Sequence, residues 1–527
     1  MKRRNFIKHA TRSTILPAML NGTGMAAFAK SPLMRALYED LEETDKVLVL
    51  VYLGGGNDGL NTLVPVDQFD QLSRARPDVL LPENRLLALD GIDDSKLHPG
   101  LGGFQSLYND GKLGIIQNVG YPNQSYSHFR STDIWMTGAD ADELLPTGWL
   151  GRYLNSEYPN YPIDYPNPEV PDPLAIEIGY NLSVAFQGPS TGMGMVVGDP
   201  EWFYQLVNDV EEPTPNTPAG EKLKFVRLIT KQSQVYGEVI KNAAAKVTRQ
   251  GEYPQNELAE QLKIVARLIA GGLQTRLYMV SLHGFDTHDA QVVGSDHTQG
   301  EHATLLQTLG SSVEAFTKDL DFLGIGDRVM GATVSEFGRR IISNASFGTD
   351  HGAAAPMFVF GNAVNGGIYG ANPTIPDFAD VEDNLNMEVD FRTVYATILK
   401  NWFCVNESAL QSSLDYGGEM IPIIGESACM STATQQRNTN AGLSLVSNYP
   451  NPFRENTTLT FKSLGSPLQI QIIDQQGKLI ETVARGDYPI DRENKVIWNG
   501  ANHAPGIYYA RFQDKSLQQS KAMLKVQ

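Results

Sequence analysis

The sequence predicts an α/β protein built on a doubly wound, mostly parallel sheet, with a small β-sandwich at the C-terminus. From residue 46 onward, short apolar runs alternate with longer segments of helical periodicity, which is typical of βαβ units. This rhythm stops after residue 424, and a small, polar stretch follows at 427–442. From residue 443 onward, short alternating runs are separated by turn residues, as in a β-sandwich.

Each element is predicted from its own pattern. Continuous apolar runs predict buried strands, and apolar residues at helical spacing before the stop at Gly271 and Gly272 predict a core-facing helix. The large region is predicted to hold strands 46–53, 113–119, 276–282 and 328–335, and helices 256–270 and 301–323. Residues 146–218, rich in proline, asparagine and tyrosine, are predicted as loops. The C-terminal strands are predicted at 459–461, 468–474, 495–498, 507–512 and 522–526.

Length, charge and cysteine content narrow the possible classes of protein. A chain of 527 residues exceeds the roughly 250 to 300 residues of a single hydrophobic core, so we expect at least two units. Its 60 acidic and 42 basic side chains give a net charge of −18, which repels phosphate backbones and argues against a nucleic-acid partner. Cys404 and Cys429 lack the CxxC spacing of a zinc or redox site. Whether they pair with each other stays open.

The first 29 residues predict an export signal. Lys2, Arg3 and Arg4 precede a moderately apolar stretch, and the small-residue site Ala27-Phe28-Ala29 follows. The apolar stretch falls short of the roughly 20 residues that span a bilayer, so we expect cleavage and no transmembrane anchor in the mature protein. The string from Arg3 to Lys8 resembles a twin-arginine signal. An ordinary secretory signal is the alternative.

The C-terminal region carries a specific set of motifs. NYPNPF at 448–453, PGIYY at 505–509 and the closing Lys525-Val526 together resemble the C-terminal sorting domain of the type nine secretion system. A generic carbohydrate-binding or fibronectin-like module is the alternative. The resemblance implies the type nine machinery as a partner, and a route through the periplasm to the outer cell surface or the extracellular space.

Four polar clusters each follow the carboxyl end of a predicted strand, the rim where open α/β sheets bind ligands. In the first, glycines at 54–59 let the backbone turn sharply, and Asp58 offers an oxygen donor for a metal. A turn in which Asp58 caps the next helix is the alternative. In the second, at 125–130, Ser127 lies at the start of a predicted helix. It is either a nucleophile or a plain helix cap.

The third and fourth clusters lie in a segment that holds five of the nine histidines. Asp286 and His288 are two residues apart, so in extended backbone both side chains point the same way, as metal donors should. Glu336 and His351 are further candidate ligands. Arg339 is a candidate for neutralising a bound oxyanion through its guanidinium fork. Solvent-exposed loop histidines and a surface ion pair of Glu336 are the alternatives.

An ordered set of motifs in the large region resembles the bacterial family called domain of unknown function 1501. The motifs are LGGGNDGLN at 53–61, HPGL at 98–101, SHFRSTDIW at 127–135, GWLGRYL at 148–154, HGFDTHDAQ at 283–291, SEFGRR at 335–340 and GTDHG at 348–352. This family is in turn similar to the alkaline phosphatase and sulfatase superfamily. In that superfamily, aspartate and histidine ligands on the sheet rim hold one or two metals beside a nucleophile.

The resemblance implies a role for each candidate ligand. Asp58 would be the first-strand metal aspartate, Asp286 and His288 the middle pair, and Glu336 and His351 the late ligands. Asp286 and His288 are two residues apart rather than four, and a phenylalanine follows Glu336 where histidine is expected. Both departures put a two-metal site in question. The sulfatase signature Cys-x-Pro-x-Arg does not occur in the sequence, which excludes a sulfatase with a cysteine-derived formylglycine but not a serine nucleophile.

The sequence therefore predicts an exported, metal-dependent hydrolase of phosphate or sulfate esters on a small molecule, a polysaccharide or a lipid. A divalent metal, first zinc and otherwise manganese or calcium, would act beside Ser127, Ser125 or an activated water. A catalytically silent surface binding or scaffold protein with the same fold is the alternative. The predicted organisation is an export signal at 1–29, an alkaline phosphatase-like domain at 45–425, a linker at 426–442 and the sorting sandwich at 443–527. We expect the ligands to converge on one site, namely Asp58, Asp286, His288, Glu336 and His351.

Overall fold

A nine-stranded sheet forms the centre of the larger of two units in the computed structural model of the chain. The structure describes residues 45–163, 165–198 and 217–425 of this unit. In the C-terminal unit it describes residues 443–451, 453–463, 468–474, 478–488, 493–513 and 518–526. The predicted export signal, the predicted linker and Cys429 lie outside the described residues.

The described strands of the larger unit are β1 (Val47–Gly54), β2 (Leu63–Pro65), β3 (Leu87–Leu89), β4 (Ile92–Leu97), β5 (Leu113–Gly120), β6 (Ala175–Ile178), β7 (Met195–Val197), β8 (Leu277–His283), β9 (Val329–Ser335), β10 (Gly338–Ser343), β11 (Thr349–Gly352), β12 (Ala355–Phe360), β13 (Gly367–Tyr369) and β14 (Val389–Asp390). Its helices are α1 (Gly59–Thr62), α2 (Phe69–Ala75), α3 (Gly102–Asn109), α4 (His128–Thr137), α5 (Trp149–Glu157), α6 (Pro218–Lys246), α7 (Glu257–Ala270), α8 (Glu301–Phe322), α9 (Phe391–Thr397) and α10 (Glu407–Ser413).

The central sheet is mixed and mostly parallel. Its strand order is β13-β5-β12-β9-β1-β8-β6-β7, with β14 beside β5. Strand β1 pairs in parallel with both β8 and β9, whereas β12 is antiparallel to its neighbours β5 and β9. The predicted α/β class with a mostly parallel sheet is therefore confirmed.

Helices cover both faces of this sheet. Alternate residues of β1 enter two different cores, because successive side chains of a strand point to opposite faces. Leu48 and Leu50 pack in one core with Trp149 of α5. Val47, Val49 and Val51 pack in the other core with Phe316 of α8. A strand that is buried on both faces needs a nearly continuous apolar run. For this reason β1 could be predicted from the sequence.

The six predicted elements of the large region occur within about one residue of their expected bounds, at β1, β5, α7, β8, α8 and β9. Helix α7 begins where Asn256 accepts a hydrogen bond from the backbone N–H of Ala259, as a helix cap should. The prediction of loops at 146–218 is corrected by the structure, because this region contains α5, β6 and β7. Strands of three and four residues are too short for a recognisable period.

The C-terminal unit consists of antiparallel strands, namely β15 (Leu443–Tyr449), β16 (Asn456–Ser463), β17 (Leu468–Asp474), β18 (Leu479–Gly486), β19 (Glu493–Asn499), β20 (Gly506–Gln513) and β21 (Gln518–Lys525). They form two sheets, β15-β16-β19 and β18-β17-β20-β21. Phe461, Ile470 and Phe512 belong to one apolar core of this unit. Strands β15 and β18 were not predicted. The side chains of β18 are exposed or half-buried and show no alternation. That the two sheets form a sandwich stays a prediction.

Candidate metal centre

Strand pairing brings the polar clusters to one edge of the sheet. In the parallel ladders of β1, Gly54 pairs with His283 of β8 and Leu53 pairs with Ser335 of β9. The loops that leave these three strands therefore start side by side. Strand β11, which carries His351, pairs with β10 directly after β9. The loop after β5 ends at His128, the first residue of α4.

The carboxylate of Asp286 lies among three imidazole rings. Its Oδ1 atom is 3.1 Å from Nε2 of His351 and 3.2 Å from Nε2 of His288. Its Oδ2 atom is 3.3 Å from Nε2 of His128. The Nε2 atoms of His288 and His351 are 2.9 Å apart. Ligand atoms of His128, Asp286 and His351 all lie within 4.8 Å of one another, and His288 adjoins this group of three.

The Nδ1 atom of each ring faces an oxygen. The pairs are His351 with the Tyr126 carbonyl at 2.7 Å, His288 with the Asp350 carboxylate at 3.0 Å, and His128 with the Glu336 carboxylate. A carbonyl oxygen only accepts, so Nδ1 of His351 is the donor, and we assign the same tautomer to the two rings that face carboxylates. In a neutral ring of this tautomer Nε2 carries the lone pair. All three Nε2 atoms are thus potential ligand atoms that face Asp286.

The electrostatics of the cluster favour this state. Burial raises the pKa of Asp286, but the hydrogen bond from Arg339 and further favourable contacts of the carboxylate outweigh burial and bring the pKa to about 2. Burial lowers the pKa of the His351 imidazole, which favours its neutral form. At neutral pH the cluster therefore presents an ionised carboxylate and an unprotonated ring nitrogen.

These residues fit a divalent cation. Nitrogen and carboxylate donors suit zinc, and metal-bound histidines almost always donate their second ring N–H to a carboxylate or a backbone carbonyl. Phe337 lies against the rings, with centroids 4.4 Å from His351 and 5.1 Å from His128. An apolar ring thus occupies position 337, where the superfamily resemblance implies a histidine.

Glu336 contacts the cluster through the ring of His128. Its Oε1 atom accepts hydrogen bonds from the Tyr52 hydroxyl at 2.6 Å and from the Gly55 backbone N–H at 2.9 Å. Its Oε2 atom faces Nδ1 of His128. The Glu336 side chain is buried, so the alternative of a surface ion pair does not describe it. In this arrangement Glu336 orients His128, and the metal role predicted for it stays a prediction.

The structure places Asp58 differently from the expected convergence. Within the described residues, Asp58 is outside the group of possible metal ligands. Its carboxylate is fully buried and accepts hydrogen bonds from Arg76 and, at 2.6 Å, from Nε2 of Gln291. Although Asp58 precedes α1, its side chain makes no capping hydrogen bond. A buried carboxylate needs a positive partner, and Arg76 supplies it.

Arg339 also departs from its expected role. Its side chain is 0% exposed, and it donates to the backbone carbonyls of Gly55, Gly56, Phe285 and Thr349 and to Oδ1 of Asp286. A guanidinium turned inward onto these acceptors does not face a substrate oxyanion. Arg339 instead ties the glycine-rich turn after β1 to the loop after β8, and it holds Asp286 at 2.8 Å.

Ser127 stands beside the cluster and is exposed. It precedes α4 at the cap position, but its side chain makes no capping hydrogen bond. Its chain neighbours are both at the site, since the Tyr126 carbonyl accepts from His351 and the His128 ring faces Asp286. The plain cap weighed from the sequence is therefore not observed, and Ser127 stays the candidate nucleophile.

The sequence analysis missed His128 as a candidate ligand. The signal was available, because His128 directly follows Ser127 at a predicted helix start on the same rim as the other clusters. Tyr52 and Gln291, which hold Glu336 and Asp58, were also missed, since neither stands in a polar cluster at a strand end.

Comparisons with known families identify two regions of the chain. Residues 226–415 match the family described as protein of unknown function (DUF1501), and residues 447–526 match the secretion system C-terminal sorting domain. Both resemblances drawn from the sequence are confirmed. The sorting domain indicates export to the cell surface or the extracellular space.

No curated protein matches the chain. Among solved structures, a protein in the alkaline phosphatase superfamily from Vibrio parahaemolyticus is 8% identical, with 93% of this chain and 84% of that chain covered and a TM-score of 0.34. The PsFucS1 sulfatase from Pseudoalteromonas sp. is 10% identical, with 88% and 86% covered and a TM-score of 0.34. Dimeric latent PorU from Porphyromonas gingivalis is 19% identical, with 15% of this chain and 9% of that chain covered and a TM-score of 0.14.

None of the helices in the described part of the chain combines the length and the apolar character that a membrane span requires.

Proposed function

We propose that the protein is a secreted, metal-dependent hydrolase of phosphate or sulfate esters. The observation that carries the proposal is the convergence of Nε2 of His128, His288 and His351 on the carboxylate of Asp286. With both rings neutral, two ring lone pairs 2.9 Å apart, beside an ionised carboxylate, repel one another unless a proton or a cation lies between them. Imidazole nitrogens favour zinc over calcium, which prefers oxygen ligands.

The chain's own residues supply the other parts of an ester hydrolase. A divalent cation held by these residues would polarise an ester oxygen and offset the negative charge that develops during cleavage. The Ser127 hydroxyl is exposed at the N-terminus of α4, where free backbone N–H groups favour negative charge. Attack by Ser127 Oγ would form a bond to phosphorus or sulfur, release the alcohol and leave a seryl ester, which water then cleaves. Direct attack by water is the alternative.

The proposal includes the organisation of the chain. Residues 1–29 would act as the export signal, 45–425 as the hydrolase domain, 426–442 as the linker and 443–527 as the sorting sandwich. Because the sorting domain directs export, we place the substrate outside the cell, as a small molecule, a polysaccharide or a lipid ester.

The test combines metal content with turnover. The full chain is purified without added metal, its metal content is measured by mass spectrometry, and aryl phosphates and aryl sulfates are tested before and after chelation. We expect about one zinc per chain, and turnover that chelation removes and zinc restores. Protein that binds no divalent metal at all would overturn the proposal. Stoichiometric metal without turnover of any ester would favour the binding or scaffold protein.

A further inference from the structure

A buried side chain bridges the two segments that carry the candidate ligands. The Oε1 atom of Gln291 accepts hydrogen bonds from the hydroxyls of Thr349 at 2.6 Å and of Thr287 at 3.2 Å. Thr287 directly follows Asp286 in the loop after β8. Thr349 begins β11, the strand that carries His351. One amide oxygen thus connects the loop of one ligand to the strand of another.

Asp58 fixes the orientation of this bridge. The Nε2 group of Gln291 donates to Asp58 Oδ2 at 2.6 Å, and Arg76 donates to the same oxygen. Asp58, Arg76 and Gln291 are all 0% exposed. Burial raises the pKa of Asp58, but the charge of Arg76 and further favourable contacts outweigh it, so the net shift is downward. An ionised carboxylate only accepts hydrogen bonds. If the Gln291 amide flipped, it would lose its bond to Asp58 and its bonds to the two threonine hydroxyls.

We propose that Asp58 and Gln291 are positioning residues that set the metal affinity of the centre by holding its two ligand segments in register. The proposal rests on the proposed function, because it requires a bound metal. It gives Asp58 a role that is neither ligand nor helix cap. Partners outside the coordination sphere orient the ligands, and their loss typically weakens metal binding about 10-fold to 100-fold.

Other bonds keep the same segments folded when the bridge is removed. The Thr349 backbone N–H donates to the Thr287 carbonyl at 3.1 Å. Arg339 donates to the Thr349 carbonyl at 2.9 Å. Removal of the Gln291 amide is therefore expected to loosen the register of the ligands rather than unfold the unit.

The test uses the full chain and matched variants. Gln291→Met removes the bridge at similar volume, and Thr349→Val removes one hydroxyl, whereas Thr349→Ser keeps it. Tyr253→Phe is the control, since it removes a hydrogen bond of 2.9 Å to the buried Asp319 of α8. Zinc affinity is measured by competition with a chelating dye, and the absorption spectrum of bound cobalt reports the geometry of the ligands.

We expect Gln291→Met and Thr349→Val to bind zinc about 10-fold to 100-fold more weakly and to change the cobalt spectrum. Thr349→Ser should retain the wild-type zinc affinity and cobalt spectrum, and Tyr253→Phe should leave both unchanged. Unchanged affinity in Gln291→Met, or an equal loss in Tyr253→Phe, overturns the positioning role alone. A wild-type chain that binds neither zinc nor cobalt overturns the proposed function instead. Should Gln291→Met not fold, the pair at Thr349 decides the question.

Discussion

The Nε2 atoms of His288 and His351 face each other at 2.9 Å, while Nδ1 of each ring is turned to an oxygen. With both rings neutral, neither Nε2 atom has a proton to share, so the contact is repulsive. A proton on one ring or a cation beside both makes it favourable. The protonation of His288 and His351 is therefore coupled to the binding of a metal between them.

Asp286→Asn tests the centre of the cluster. The substitution removes the charge that faces three rings and Arg339, with little change of volume. We expect zinc affinity to fall by at least roughly 100-fold, beyond the loss typical of an outer partner. Titration with a chelating dye measures this. Asp289→Asn, three positions further at an exposed site, is the matched control, and an equal effect there would show that general charge, not ligation, is responsible.

Ser127→Ala tests the nucleophile. If Ser127 attacks the ester, the variant should lose nearly all turnover while its metal content and circular dichroism spectrum stay unchanged, because the hydroxyl makes no capping hydrogen bond. Ser125→Ala is the comparison. Loss in Ser125→Ala alone would move the assignment two residues. Turnover that persists in both variants would indicate attack by water.

Stability of the larger unit should fall in mild acid through two buried histidines. Burial lowers the pKa of His302 to about 4 and that of His98 to about 3. Both values lie below the ordinary value near 6.5, so between pH 6.5 and 4 the unfolded chain binds protons that the folded chain does not. The stability is complete above pH 6.5 and is lost as the pH falls, by about 1.4 kcal/mol per pH unit for each ring.

Urea unfolding at pH 7.5 and pH 5 measures this loss. His302→Gln keeps an amide that can pair with Asn57, the present partner of His302 Nε2 at 3.0 Å, but it does not titrate. The variant should lose less stability than the wild-type chain between the two pH values. Equal losses in the variant and the wild-type chain would contradict the assignment to His302.

The sheet and the general position of the site were predictable from local patterns. Strands β1, β8 and β9 are buried on both sides, so each appears as an apolar run, and their parallel pairing places the following loops on one rim. The structure accordingly brings Asp286, His288 and His351 together. This part of the site follows from topology and does not require the details of side-chain packing.

Which polar residues face inward could not be predicted in the same way. Asp58 and Arg339 have the residue types of a metal ligand and an anion binder. Their partners lie far along the chain, since Asp58 pairs with Gln291 and Arg339 with the carbonyl of Gly55. Such pairs form only after the loops have packed, so no local pattern records them.

Removal of residues 443–527 tests the sorting domain. The strands of the C-terminal unit form a core of their own, so the larger unit should remain folded without them. We expect the shortened protein to accumulate in the periplasm, as judged by fractionation and by its protection from added protease on intact cells. The full chain, processed in parallel, is the control. Normal surface delivery of the shortened protein would refute a sorting role.

Arg339→Lys separates a structural from a catalytic role of this side chain. Lysine keeps the charge but lacks the planar fork that reaches several carbonyls and Asp286 at once. Buried acceptors would lose their donors, at a cost of about 1 to 3 kcal/mol for each unsatisfied group. We expect a lower melting temperature and weaker zinc binding together, since the same bonds hold Asp286. An arginine that served a substrate oxyanion would instead lose turnover at an unchanged melting temperature and metal affinity, and that result would return Arg339 to the role first expected from the sequence.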